Sequence, residues 1–301
     1  MSPIKNVTLA GKGSLGSAVL AALIDAGFTV QLLSRSSTVS NVPTTVKVVQ
    51  VDYTSLSDLT TALRGQDAVV STVGAAGIPS QTVLIDAAIQ AGVQRFIPSD
   101  FGSLTTDPAA QHLPPHVTMV EIQKYLTAKA DAGLIEYTVL SIGAFTEFLV
   151  HGSKANTNVQ LWAGGNQKFS STSLTGVGKA IVGALKNPEG TKNRNVRVHE
   201  LAVTQVLLLR LAKKHAPPET KWNVTDIVDV ETEYKKREEA AASEPTIPNM
   251  IGLLTGMLMS GKYQAFYEPT DNELVGLKLG SEEDLDAMFK QAYGDGNAAA
   301  S

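Results

Sequence analysis

The sequence contains no cysteine among its 301 residues, which excludes a disulfide framework and thiol chemistry. This absence is typical of proteins from a reducing compartment. Charged residues make up only 18% of the chain, and the formal net charge is −4. Proteins that bind nucleic acid or an acidic membrane surface normally carry clustered positive charge, so we expect neither kind of partner.

Long apolar runs are also missing. No stretch reaches the ~18 uninterrupted apolar residues that a membrane span needs. The first apolar run is interrupted at Gly11 and is too short and too lightly flanked for a secretory signal, so we expect a cytoplasmic protein. The hydrophobic content of 43% nevertheless suffices for a sizeable core, in one large domain or two unequal ones.

Short apolar segments alternate with helical patterns through the first hundred residues. The predicted strands lie at residues 5–10, 28–33, 45–51, 68–72 and 94–98, and the predicted helices at 17–26, 57–63 and 81–91. This alternation predicts an α/β fold, a doubly wound parallel Rossmann sheet with helices on both faces.

Beyond residue 98 the pattern changes to a loop, a helix at 117–132 and a strand at 136–141, and then to shorter mixed segments. We therefore expect a dinucleotide-binding domain at 1–150 and a smaller α+β substrate-binding region at 151–301. The two are expected to be partly interleaved, with a helix near 174–186 packing against the first domain. The tail 294–301 is expected to be disordered.

A glycine-rich loop follows the first predicted strand and opens the first helix. It matches G-x-G-x-x-G and consists of Gly11, Lys12, Gly13, Ser14, Leu15 and Gly16. The first glycine allows a tight turn, the second lets the backbone approach a pyrophosphate, and the third lets the helix pack against the strand. Because the helix N-terminus offers free N–H groups to phosphate, this strand–loop–helix context predicts a dinucleotide site.

The second predicted strand ends in Ser34-Arg35-Ser36. Sites specific for NAD place an acidic residue at this point to bind the ribose hydroxyls. An arginine flanked by serines suits a 2′-phosphate instead, because its guanidinium group grips phosphate in a fork, and Lys12 adds a second positive charge. The sequence therefore predicts NADP(H) as the cofactor.

Two further loops follow predicted strands at the sheet edge where such folds bind ligands. Asp52, beside Tyr53, is expected to flank the adenine. Thr72, Val73 and Gly74 are small enough to let the backbone run along the cofactor.

The segment Arg95-Phe96-Ile97-Pro98-Ser99-Asp100-Phe101-Gly102, together with the glycine loop, resembles the NmrA-like and isoflavone-reductase-like group of atypical short-chain dehydrogenases. The resemblance implies an NADP(H)-binding Rossmann domain, with Pro98, Ser99 and Phe101 at the nicotinamide end. It implies that catalytic members reduce an aromatic or phenylpropanoid-type substrate, assisted by a lysine in the helix after this segment. Other members bind the cofactor without turnover and act as redox sensors or transcriptional co-regulators.

The proton donor that hydride transfer requires has several candidates here. The family lysine is expected near Thr118 or Met119, neither of which is a lysine, so a shift of one turn makes Lys124 the candidate. Alternatively, Tyr125 and Lys129 form Y-x-x-x-K on one helix face, where the lysine would lower the tyrosine pKa and Ser99 would complete the set. The competing interpretation is a surface lysine beside a half-buried tyrosine.

Two loop histidines, His112 and His116, are further options for a proton relay, since histidine titrates near neutrality. No cluster of His, Asp and Glu has the spacing of metal ligands, so we expect no metal.

The predicted substrate-binding residues are Phe145, Phe148 and Met257. Met257 belongs to the apolar segment 250–259, which predicts either a buried helix or a flexible lid over the nicotinamide. The leading hypothesis is an NADPH-dependent reductase of a small apolar, aromatic carbonyl or enone. The alternative is a non-catalytic NADP(H) sensor that regulates a protein partner.

Overall fold

The computed structural model describes residues 3–294, and the first half of the chain alternates between parallel strands and helices. The strands are β1 (Asn6–Ala10), β2 (Thr29–Ser34), β3 (Lys47–Gln50), β4 (Ala68–Ser71), β5 (Arg95–Ile97) and β6 (Glu136–Ser141). The helices that connect them are α1 (Ser14–Asp25), α2 (Leu56–Leu63), α3 (Gln81–Ala91) and α4 (Val117–Asp131).

The second half has shorter strands and more helix. Its strands are β7 (Ala144–Phe145), β8 (Asn158–Trp162), β9 (Phe169–Thr172), β10 (Arg194–Arg197), β11 (Leu201–Val203) and β12 (Asn223–Ile227). Its helices are α5 (Thr146–Ala155), α6 (Leu174–Lys186), α7 (Pro188–Thr191), α8 (Gln205–His215), α9 (Val230–Ser243), α10 (Ile247–Met259), α11 (Asn272–Val275) and α12 (Glu282–Gly294).

One seven-stranded sheet organises the molecule, in the order β10-β6-β5-β4-β1-β2-β3 with every neighbouring pair parallel. This confirms the predicted doubly wound Rossmann sheet. The strand order reverses direction between β1 and β4, and ligands of such sheets bind in the crevice beyond the carboxyl ends of the strands at this switch point.

Helices cover both faces of this sheet. α1 and α6 pack on one face, and α2, α3 and α4 on the other. α6 lies against α1, the packing expected for this helix, because Gly178 presents no side chain at a point where a Cβ would lie 3.0 Å from the Cβ of Ala22. Since β10 also pairs with β6, two elements from beyond residue 150 complete the Rossmann unit.

The remaining elements build two small sheets, β11-β9-β7 and β12-β8. One apolar cluster in this region joins Trp162, Tyr234 and Met257 to Leu104 and Leu113. The long loop after β5 is thereby anchored to the C-terminal half.

The structure corrects the predicted start of the first helix and the predicted start of the tail. α1 begins at Ser14, three residues before the predicted start, because the apolar periodicity that marks the helix does not include its first, polar turn. In the predicted disordered tail, Gly294 instead ends α12, and residues 295–301 lie outside the described residues. Within residues 3–294, no helix is both long and apolar enough to cross a membrane.

Candidate cofactor cleft and active site

The glycine loop places the start of α1 at the switch point of the sheet. Gly11 has φ +100°, a conformation that favours glycine, and its missing Cβ would lie 2.8 Å from the carbonyl oxygen of Thr72. Gly13 precedes α1, and a Cβ there would meet no protein atom within 4 Å. The loop therefore turns tightly against β4 and leaves open space in front of its second glycine.

The first turn of α1 has no side-chain cap and no acidic residue. By contrast, α2 and α6 begin with Ser55 and Ser173, whose hydroxyl groups accept an N–H of the first turn. The free N–H groups and positive end of α1 are therefore available to an anion, as a pyrophosphate site requires.

Thr72 supports the loop from β4. Its hydroxyl donates a hydrogen bond to the Gly11 carbonyl oxygen at 2.8 Å. Gly16 fits closely behind, since a Cβ at this position would lie 2.4 Å from the same oxygen. Thr72 and Gly16 thus fix the curvature of the loop and need no contact with a ligand to do so.

A cleft of about 1000 Å³ lies along the ends of β2, β3 and β4, beside the segment of Thr72 and Val73 that the glycine loop packs against. Residues predicted to bind the cofactor, Arg35, Asp52, Val73 and Gly74, line it. Burial raises the pKa of Tyr53, at the floor of the cleft, to about 12, while the positive charge of Arg35 opposes the rise.

Two cations lie beside the turn that follows β2. The guanidinium group of Arg35 is exposed, and the ammonium group of Lys12 donates to the Ser40 carbonyl at 3.1 Å. Ser36 follows Arg35 directly in sequence, and its hydroxyl group pairs with that of Thr38. Asp52 accepts two hydrogen bonds from Thr54, of which the one from the hydroxyl group does most to lower the pKa of this carboxyl group.

The segment after β5 lies beside β4. The Ser99 hydroxyl donates to the Val73 carbonyl at 2.8 Å, and the Ser99 N–H donates to the side chain of Gln81 at 2.7 Å. Pro98 is buried, and Phe101 packs into the core with only 8% of its surface exposed. These residues shape the wall of the crevice through their backbone and their packing.

The structure does not bring Tyr125 and Lys129 to Ser99. The Tyr125 hydroxyl donates to the Asp86 carboxylate of α3 at 2.7 Å, and the Lys129 ammonium lies 3.1 Å from the same carboxylate. Burial, reinforced by Asp86, raises the pKa of Tyr125, which is opposite to the lowering expected from Lys129. Asp86 of α3 therefore holds both of these side chains of α4. Lys124 is exposed on the same helix.

A buried carboxyl group that the sequence reasoning passed over lies directly after Ser99. Asp100 is 2% exposed and accepts hydrogen bonds from the Thr105 hydroxyl at 2.9 Å and from the Gln123 amide of α4. Burial raises the pKa of Asp100, and these hydrogen bonds oppose the rise. Its position inside the segment 95–102 could have marked Asp100 as a candidate. Its hydrogen bond to Gln123 could not be predicted, because the two residues are 23 positions apart in sequence.

The two loop histidines differ in environment. His116 is buried, and its Nδ1 donates to the Ala110 carbonyl at 2.9 Å. Burial lowers the pKa of His116, so the ring is neutral at physiological pH. The His112 side chain is 69% exposed, with its Nε2 3.9 Å from Glu238. Neither geometry is that of a relay between a substrate and solvent.

Tyr267 connects three segments beside β6. Its hydroxyl donates to the Ser103 carbonyl at 2.5 Å and accepts the Gly143 N–H at 3.2 Å. Gly143 has φ +70°, and a Cβ would lie 2.0 Å from the Ser170 carbonyl oxygen. Only glycine therefore fits where these two segments of the chain cross. Tyr267 was not predicted, because no local pattern marks a tyrosine whose partners lie more than a hundred residues earlier.

The predicted substrate-binding residues differ in exposure and packing. Phe145 and Phe148 stack edge to face with their ring centroids 5.6 Å apart, and Phe148 is 67% exposed. The structure corrects the prediction for Met257, whose side chain is 1% exposed and packs between helices. The helix interpretation of segment 250–259 is the one that holds for this residue.

Among residues 3–294, no group of three or more His, Asp or Glu side chains has the geometry of a metal site.

Known proteins resemble this chain in sequence and in fold. A family model described as NAD(P)H-binding matches residues 10–188. Oxidoreductase aprR of Aspergillus flavus is 32% identical over 296 residues, which span 95% of this chain and 98% of that protein. The family-model match includes the glycine loop.

Solved structures share the fold. The crystal structure of isoflavone reductase has a TM-score of 0.73 at 21% identity and covers 96% of this chain and 99% of its own. The binary complex of leucoanthocyanidin reductase with NADPH from Vitis vinifera has a TM-score of 0.72 at 17% identity, with coverage of 96% and 99%. The family model and the match to the oxidoreductase show that the chain belongs to the NAD(P)H-binding family of oxidoreductases, and the solved structures show that it shares the fold of isoflavone reductase.

Proposed function

We propose that this protein is an NADPH-dependent reductase of a small apolar, aromatic carbonyl or enone. The observation that carries the proposal is the uncapped start of α1 at the switch point, with Lys12 in the same glycine loop and Arg35 in the wall of the adjoining cleft. This arrangement suits a dinucleotide that bears a third phosphate group.

The residues present fit this cofactor. The open space at Gly13 admits a pyrophosphate close to the backbone, and the N–H groups of Ser14 to Gly16 can donate to it. Arg35 and Lys12 would hold the 2′-phosphate, since a guanidinium group binds phosphate through two parallel hydrogen bonds. When bound, NADPH supplies a hydride. The crevice near Ser99 would receive its nicotinamide end.

The substrate class rests on two observations. The Phe145–Phe148 pair offers aromatic surface just after β6, close to the carboxyl edge of the sheet. The solved relatives include proteins named as reductases of isoflavone and leucoanthocyanidin, and we extend reduction of an aromatic compound to this chain.

For proton delivery we propose the second turn of α4. Gln123 is held there by Asp100, and the neighbouring Lys124 is exposed, with no salt-bridge partner among residues 3–294. An ammonium group can stabilise a developing oxyanion and donate a proton to it, whereas the amide of Gln123 donates only a hydrogen bond. Tyr125 and Lys129 are outside this proposal because Asp86 engages both.

The engagement of Tyr125 and Lys129 favours one alternative, a protein that binds NADP(H) without turnover and signals to a partner. Substrate screening distinguishes the two functions. The reductase proposal expects NADPH consumption with at least one aromatic ketone or enone, and a strong loss in Lys124→Ala. Tight NADPH binding without consumption across a broad panel would instead support the sensor.

Cofactor choice is tested separately by Arg35→Asp. The carboxylate would repel the 2′-phosphate and accept hydrogen bonds from ribose hydroxyls, so we expect NADPH affinity to fall by about tenfold or more and NADH affinity to rise. Calorimetric titration of both cofactors measures the ratio. An unchanged ratio contradicts the role given to Arg35.

A further inference from the structure

A second cavity, of about 640 Å³, lies among the β10–β11 connection, the segment 266–270 and the start of α12. None of its lining residues also lines the cofactor cleft. Its volume is in the ~300–1,000 Å³ range of small-molecule sites. The inference drawn from it does not depend on the proposed reductase activity.

His199 is held rigidly in the wall of this cavity. Its side chain and backbone are only 6% exposed, and its ring stacks on Phe266 with centroids 5.4 Å apart. Ring atom Nδ1 lies 2.8 Å from the Ser170 hydroxyl oxygen. The His199 N–H and carbonyl both pair with the side chain of Asn272. The ring orientation is therefore set by its neighbours.

The Ser170 hydroxyl determines where the His199 proton resides. Ser170 is fully buried, and its oxygen already accepts the Tyr267 N–H at 2.9 Å. A buried hydroxyl must also donate, and its remaining hydrogen-bond partner is Nδ1 of His199. Nδ1 is then an acceptor, and a neutral ring carries its proton on Nε2.

Burial lowers the pKa of His199, while the negative charge of Glu268 opposes the fall, so the neutral ring is the relevant form at neutral pH. Within residues 3–294, no hydrogen-bond partner is found for Nε2. A nearly buried N–H donor is therefore left for an occupant of the cavity.

The glutamate carboxylates that line the second cavity restrict the charge and the hydrogen-bonding groups of its occupant. Glu200 accepts the Ser173 N–H at 2.8 Å and Glu282 pairs with Arg210 at 2.7 Å, whereas Glu268 has no such partner in the described part of the chain. These negative charges disfavour an anion. An ammonium ion has no lone pair to accept the Nε2–H, and a ketone or ether has no donor for Glu268.

A hydroxyl group satisfies both sides, because it accepts from the imidazole and donates to the carboxylate. Apolar surface completes the wall, from Phe266, Leu201, Leu279 and Leu285. We propose that this cavity binds an uncharged hydroxyl compound with an apolar ring. The ring lies against Phe266 and the leucines, and the hydroxyl group bridges His199 Nε2 and Glu268.

Nuclear magnetic resonance on the full chain with ¹⁵N-labelled histidine tests this directly. The chain has five histidines, and the signal lost in His199→Gln assigns His199. We expect the neutral Nε2–H form at neutral pH and a saturable Nε2 shift on titration with benzyl alcohol. Toluene and benzoate, which lack the hydroxyl group or carry a charge, should leave it unchanged. An Nδ1–H form, no shift, or an equal response to toluene would each overturn the proposal.

Two variants of the exposed Glu268 provide the matched comparison. Glu268→Leu removes the acceptor, so benzyl alcohol should bind about tenfold more weakly. Glu268→Gln keeps an acceptor oxygen and should retain most of the affinity. NADPH affinity and the melting temperature should be unchanged in both, since the cofactor cleft is separate. Equal benzyl alcohol affinity in wild type and Glu268→Leu would contradict the bridging role.

Discussion

Two glycines of the cofactor loop differ in what an added methyl group would meet. At Gly13 the space is open on the protein side, and φ is an ordinary −83°. At Gly16 a Cβ would lie 2.4 Å from the Gly11 carbonyl oxygen, a backbone atom that cannot move without the loop. The space at Gly13 is therefore free for a ligand, whereas the absence of a side chain at Gly16 is required by the fold.

This difference yields a paired prediction. Gly13→Ala should leave the melting temperature unchanged but weaken NADPH binding by about tenfold or more, because the methyl group enters the space proposed for the pyrophosphate. Gly16→Ala should both weaken binding and lower the free energy of unfolding by about 1–3 kcal/mol, as overpacking does. Thermal melts and NADPH titrations measure both. Normal NADPH affinity in Gly13→Ala would exclude the proposed pyrophosphate position.

Tyr125 and Lys129 test the Y-x-x-x-K hypothesis at the level of single side chains. Because both engage Asp86 on α3, we expect Tyr125→Phe and Lys129→Met to retain kcat/KM within about twofold on a substrate found by screening. The ion pair is partly exposed, so its loss should cost no more than about 1 kcal/mol of stability. A loss of turnover greater than a hundredfold with unchanged stability would restore the pair as the proton donor.

At the scale of elements, Arg95 joins β5, β6 and α7. Its guanidinium group is fully buried and donates to Glu136 at 2.9 Å, to Thr138 at 2.9 Å and to the Pro188 carbonyl at 2.7 Å. The arginine of the family segment is thus structural. It attaches an element from beyond residue 150 to the sheet.

We expect Arg95→Met to lower the free energy of unfolding by about 3 kcal/mol, because Thr138 and the Pro188 carbonyl lose this donor and Glu136 keeps only Lys192 as a cation within the described part of the chain. Arg210→Met is the matched control. Arg210 pairs with Glu282 at 2.7 Å, but both side chains are more than half exposed, so the cost should stay below about 1 kcal/mol. Chemical denaturation measures both values. Similar decreases in the free energy of unfolding in the two variants would contradict the idea that burial makes the Arg95 ion pair more important for stability.

Prediction from sequence succeeded best for elements with a clear local period. The helix predicted at 117–132 is α4 at Val117–Asp131, and the strand predicted at 136–141 is β6 with the same bounds. The orientation of the side chains on α4 could not be predicted from the sequence. Asp86 on α3 and Asp100 after β5 decide where Tyr125 and Gln123 point, and no pattern within α4 records those neighbours.

For the whole molecule, the burial of His116 makes stability depend on pH. Burial lowers its pKa in the folded state below the ~6.5 of an exposed histidine. As the pH falls below about 6.5, the unfolded chain takes up a proton that the folded chain resists, so the free energy of unfolding decreases. His199 acts in the same direction. Asp100 opposes it, since burial raises its pKa and protonation favours the folded state.

His116→Asn isolates the contribution of this histidine. The asparagine amide can replace the Nδ1–H donor to the Ala110 carbonyl, yet it does not titrate. The melting temperature should therefore fall less between about pH 7 and pH 5.5 in this variant than in wild type. His112→Asn, on an exposed ring of the same loop, should behave as wild type. Identical slopes for His116→Asn and wild type would exclude the contribution.

The sequence alone determined the Rossmann sheet, the glycine loop that opens α1 and the basic residues Lys12 and Arg35 that we propose bind the cofactor. These features depend on local periodicity, on glycines at fixed spacing and on the residue that ends a strand, all of which lie within a few positions of one another. Only the tertiary structure decided that Met257 is buried, that Asp86 engages Tyr125, and that Ser170 orients His199 beside a second cavity. Those contacts join residues that are far apart in sequence, so packing of whole elements, and no local pattern, brings them together.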